Sequence, residues 1–173
     1  MIALPVPLVV SLVLAFLLVR AWLRRTPPRL FLALLGACAL QGVIVSLCQY
    51  YGITGLLAVQ PVTATIIPPL AWLAFQTSAI RRVEPARDAI HLAAPAFTAF
   101  CAAFAPVALD AVVPLVFAGY GLMILLWLRP GADSLPQARL DAGDLPVRVW
   151  RTVGIALVLS ACSDVASATA LAN

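Results

Sequence analysis

Marked as apolar and polar positions, the chain is a series of long apolar runs cut by short polar connections. The first run covers residues 2–19 and is followed by Arg20, Arg24, Arg25 and Arg29. A second spans 30–49, after which Tyr50, Tyr51 and Gly52 suggest an interfacial aromatic anchor and a turn. The third, 58–80, carries Pro68 and Pro69 in its middle and is expected to kink there, because proline supplies no N–H and its ring crowds the preceding turn. Runs at 92–105 and 111–128 follow, separated by a very short connection containing Pro106 and Asp110. The sixth covers 149–171. Two connections are too polar for hydrocarbon: 81–91, with three arginines and two acids, and 129–148, rich in Pro, Gly, Asp and Arg.

A helix needs about 20 mostly apolar residues to cross a bilayer. The pattern therefore predicts an all-α fold, a polytopic transmembrane bundle of about six helices, with residues 1–173 forming one domain whose solvent is the lipid bilayer. Composition strengthens this picture. The chain is 64% hydrophobic and 10% charged, whereas a soluble domain is about a quarter charged.

Charge fixes an expected orientation. All eleven basic side chains are arginine, and they fall in or beside the first, third and fifth connections, with none in the second and fourth. Cytoplasmic connections are the ones enriched in Lys and Arg, so the odd connections are expected inside and both termini outside, in a bacterial cytoplasmic membrane. The first run has its arginines after it, the reverse of a secretory signal, and is read as a retained helix. The same distribution argues against nucleic acid contact by these residues, because the arginines follow topology and form no phosphate-binding stripe.

Asp164 is the one acid well inside an apolar run. Burying such a charge is costly, which makes an intramembrane acid a functional candidate. Ser160, Ser163 and Ser167 accompany it as a polar stripe. Gln41 and the Pro68/Pro69 pair stand at a similar depth, about 18–20 Å from the arginine end of their helices at ~1.5 Å per residue. Together these residues are expected to line a polar pocket for a small ligand, or else to tie helices together through hydrogen bonds. Tyr120, flanked by Gly119 and Gly121, is a second wall or packing candidate, and His91 is expected to be solvated at a loop edge.

Other chemistry is not supported. Cys38, Cys48, Cys101 and Cys162 lack the CxxC spacing or neighbouring histidine of a zinc site and read as small packing residues. There is no HExxH, nucleophile–base pair, pair of intramembrane acids or Gly-rich phosphate loop. The expectation is therefore a non-enzyme without metal or cofactor, with an unidentified small ligand or partner protein, and association into oligomers left open.

The wording IIPPLAWLAF at 66–75, RPGADSLPQARLDAGDLPVRVWR at 129–151 and SDV at 163–165 resembles the membrane-embedded N-terminal part of certain bacterial AraC-type transcriptional regulators. The resemblance implies a sensory multi-helix domain that precedes a cytoplasmic helix-turn-helix domain. A seventh helix and the DNA-binding domain of that pattern have no counterpart in these residues, so DNA binding is carried to none of them. The sequence-level reading is a sensory or signal-transducing membrane module, with a small transporter or transporter subunit as its rival.

Overall fold

A computed structural model describes residues 5–24, 28–81, 83–129 and 145–172. Its elements are α1 (Val6–Arg24), α2 (Arg29–Gln49), α3 (Val59–Ala64), α4 (Ile67–Ala79), α5 (Pro85–Asp88), α6 (Ala93–Phe104), α7 (Leu109–Trp127) and α8 (Leu145–Ala172), with single 3₁₀ turns before α3, α6 and α7. No strand occurs among the described residues. The fold is all-α, and four helices are long and apolar enough to cross a membrane: Val6–Arg24, Arg29–Gln49, Pro106–Trp127 and Val147–Ala170.

The other two expected spans are built differently. Where one kinked helix over 58–80 was expected, α3 and α4 are separate helices that meet at Thr65 and Ile66. Proline chemistry explains the position of the break. Pro68 and Pro69 cannot donate to the carbonyls of Ala64 and Thr65, and they are tolerated in a first turn, where no donor is required, so the helix restarts just ahead of them. The Thr65 hydroxyl is within 3.1 Å of the Pro61 carbonyl and 3.0 Å of the Val62 carbonyl, capping the interrupted end. The helix expected over 92–105 is present as α6, Ala93–Phe104, but the connection before it is itself helical, through α5 and a 3₁₀ turn, and α6 has only 12 residues. At ~1.5 Å per residue it is about 18 Å long, less than the hydrocarbon thickness.

Helix ends also shift. α1 continues through Arg20 to Arg24, because arginine is a good helix former whose aliphatic stem can lie along the helix while its head reaches the interface. The loop over 129–148 lies largely outside the described residues.

Packing is densest toward the arginine-bearing end. Ala71, Trp72, Phe75 and Ala79 of α4 are buried against Ile124 and Leu128 near the end of α7 and against Trp150 and Leu157 of α8. Rings interlock there: Phe75 meets Trp150 edge-on at 5.6 Å, Trp72 meets Trp127 at 6.3 Å, and Phe31 meets Trp150 at 6.4 Å. These separations suit edge-to-face attraction.

Two seams rest on glycine. Where α7 crosses α8, a Cβ on Gly121 would lie 2.9 Å from the Gly154 carbonyl oxygen and 2.9 Å from a Val158 methyl, so the backbones meet only because neither glycine has a side chain. The approach expected beside Tyr120 is thus made by Gly121, whereas Gly119 faces open space. On α2, a Cβ at Gly42 would collide with the Ser11 hydroxyl of α1. Ser11 and Ser46 donate to carbonyls four residues back, at 2.8 Å each, which satisfies these hydroxyls within their own helices.

Candidate functional site

The break between α3 and α4 opens a space beside α7 and α8. A cavity of about 680 Å³ lies there, within the range of small-molecule sites. Its polar wall includes Gln41 and Gln49 from α2, Gln60 from α3, Asp110 from α7, and Ser160, Asp164 and Ser167 from α8. Apolar wall comes from Leu57, Ile67, Val113 and Phe117, among others. No basic side chain among the described residues lines it.

Four of the sequence candidates, Gln41, Ser160, Asp164 and Ser167, therefore border one space. Helical spacing accounts for the three on α8: positions 160, 164 and 167 are four and three residues apart and share a face. Ser163 is absent from the wall, and its carbonyl accepts the Ser167 hydroxyl at 2.9 Å. Pro68 and Pro69, expected in the pocket, are buried and absent from its wall; their effect on it is through the helix break.

Gln41 is engaged with α3. Its Nε2 donates to the Gln60 carbonyl at 3.2 Å, and the Thr63 hydroxyl lies 2.7 Å from its Oε1. Thr63 has one hydroxyl proton, and the Val59 and Gln60 carbonyls compete for it at 3.1 and 3.0 Å. The amide thus fastens the broken span to α2 and forms one side of the cavity. Asp164 differs, since its carboxylate has no hydrogen-bond or ion-pair partner among the described residues.

Asp110 is the residue that sequence reasoning missed. In the sequence it belongs to a short turn outside the apolar runs, where no pair of intramembrane acids is expected, yet it shares the cavity with Asp164. It sits in the first turn of α7, where a carboxylate offsets the partial positive charge of a helix start. A signal existed in the sequence: Asp110 and Asp164 are the two acids outside the arginine-bearing connections.

Tyr120 lies elsewhere. It borders a separate cavity of about 370 Å³ with His91 and Met123, and its hydroxyl is 2.8 Å from His91 Nδ1. His91 is thus held by a partner on α7, where a freely solvated ring was expected. Burial pushes its imidazole below the usual histidine range, an effect that Arg81 reinforces and Asp88 opposes.

At the arginine-bearing end a compact polar knot ties α4 to α5. Arg81 forms an ion pair with the buried Asp88 and also donates to Gln76 Oε1 at 3.2 Å, while Asp88 accepts the Glu84 backbone N–H at 2.9 Å. The Arg81 guanidinium holds the Asp88 carboxyl below the usual carboxylate range. No group of three or more metal-ligating side chains occurs among the described residues. Comparison with known proteins returns no matching family model, curated protein or solved structure.

Proposed function

We propose that this chain is a sensory or signal-transducing membrane module, in which occupation of the 680 Å³ cavity changes how the proline-broken α3/α4 span sits against α7 and α8. The observation that carries this reading is the junction of two different regions along α4. At its proline end α4 borders the cavity through Ile67, and one turn onward it enters the aromatic core around Phe75 and Trp150. A ligand that moves the first region shifts the lever that reaches the second. Energetically, such a ligand acts only through its different affinity for the two arrangements.

The accompanying topology places the arginine-bearing connections in the cytoplasm and the cavity toward the outside of a bacterial inner membrane. In this reading the output belongs to a partner protein or an attached domain, in keeping with the resemblance to AraC-type regulators. Two measurements test it. Reading the native gene past codon 173 for a further helix and a helix-turn-helix examines the regulatory output. Cysteine pairs linking α4 to α8 should crosslink at different rates with and without ligand if the lever moves, and equal rates would end the proposal.

Transport is the second reading, favoured by the two acids at the cavity and by the interrupted helix, features that suit a small carrier. Solute or proton uptake into proteoliposomes, abolished in Asp164→Asn, would establish it over sensing.

A further inference from the structure

We infer that the cavity between the broken span and α7/α8 takes a lipophilic organic amine, a single ammonium group on an apolar body, reaching it from the lipid on the side away from the arginines. Three independent features lead there. The first is charge. Eleven arginines occupy one side of the sequence pattern, and on the other stand Asp110 and Asp164 with no basic side chain to neutralise them. Both carboxylates line the cavity, and no described residue of its wall carries positive charge.

The second feature is backbone. Pro114 lies inside α7 and has no N–H for the carbonyl of Asp110, four residues earlier, as Pro68 has none for the carbonyl of Ala64. Asp110 and Ala64 are both wall residues. Two wall residues thus have carbonyls released from the usual helical donor, acceptors that add to the carboxylates of Asp110 and Asp164 in the same wall. An ammonium group, with donors and no acceptor, complements that set. The partial positive charge at the start of α7 works against a cation, and Asp110 in that first turn counters it.

The third feature is shape. A bare inorganic ion would leave most of 680 Å³ and the apolar wall of Val113 and Phe117 unused. Asp110 and Pro114 also border an apolar groove of about 720 Å³ between α7 and α8, lined further by Leu115, Val158 and Val165. The Asp110 carboxylate therefore stands between a lipid-like groove and the polar cavity. An amphiphile can slide its apolar body along the groove while its charged head finds Asp110 and then Asp164.

This assignment deepens the sensory reading and rests on it for the cavity's role, while the binding is measured without any output. The full chain in phosphatidylcholine nanodiscs is titrated calorimetrically with 2-phenylethylamine, with 2-phenylethanol and with 3-phenylpropionate, empty nanodiscs serving as the blank. Saturable binding of the amine at least tenfold tighter than the alcohol, with no binding of the acid, is expected. Asp164→Asn and Asp110→Asn should each weaken the amine tenfold or more while leaving the melting temperature unchanged. Should either amide variant fail to fold, the comparison of amine with alcohol on the unaltered chain decides alone. Alcohol binding within threefold of the amine, or two folded amide variants that bind like the unaltered chain, overturns the proposal. Displacement of the amine by Mg²⁺ beyond that produced by NaCl of equal ionic strength also overturns it and reassigns the cavity to an inorganic cation. Amine binding that leaves α4–α8 crosslinking unchanged would end the sensory reading and leave the ligand assignment standing. Ligand-dependent crosslinking without amine binding would do the reverse.

Discussion

The Asp164 side chain makes no hydrogen bond or ion pair among the described residues, so replacing it tests charge with little confounding loss of structure. Asp164→Asn and Asp164→Leu should both insert and keep the parent's melting temperature in detergent, and both should lose signalling or uptake. Retained activity in Asp164→Leu would remove the residue from any site. Gln41 is the contrasting case. Its amide joins α2 to α3, but Thr63 has two other carbonyls in reach, so Gln41→Leu should cost only about 0.6 kcal/mol, the average for a bond between membrane helices. Asp88 allows a pH prediction with a defined sign. Its carboxyl is held below its ordinary value by Arg81, so the folded state is favoured fully above the unfolded carboxyl value of about 3.9 and loses that advantage as pH falls through the lower folded value. Melting temperature in detergent should therefore drop on acidification below about pH 4, and less steeply in Asp88→Asn, which starts lower at neutral pH.

The elements were legible in the sequence to different degrees, for physical reasons. α1, α2, α7 and α8 could be read because an unbroken apolar run of membrane length has few alternatives. The third span was read as kinked, but the place of its break depends on which carbonyls Pro68 and Pro69 leave without donors, a local effect that hydropathy does not register. Asp110 was missed because a short Pro/Asp connection looks like a turn whichever residues of α8 lie beside it. Lining of a common cavity by α2, α3, α7 and α8 is a tertiary fact that no periodicity contains. The glycine crossing lies between these extremes: close approach near Tyr120 could be expected, yet only the structure assigns it to Gly121. Gly121→Val should push α7 off α8, since even a Cβ there would lie 2.9 Å from the Gly154 carbonyl. Overpacking of this kind costs about 1–3 kcal/mol, measurable as a lower melting temperature, whereas Gly119→Ala, facing open space, should be tolerated.

For the whole molecule, the confinement of arginine to alternate connections predicts that cysteines at positions 85 and 137 are labelled only from the cytoplasmic side, and labelling from outside would overturn the orientation. The seam between α1 and α2 bears on how such a chain is put together. α1 has its extensive contact with α2, through the notch where Ser11 meets Gly42, and Ser11 is its one buried residue in the described helix. A helix attached along a single edge need not be covalently continuous with the rest. Two separately synthesised pieces, residues 1–26 and 27–173, should find each other in the membrane and co-purify, and Gly42→Val should abolish that pairing while leaving the larger piece inserted. The first helix then behaves as an assembly subunit that happens to be encoded in the same chain.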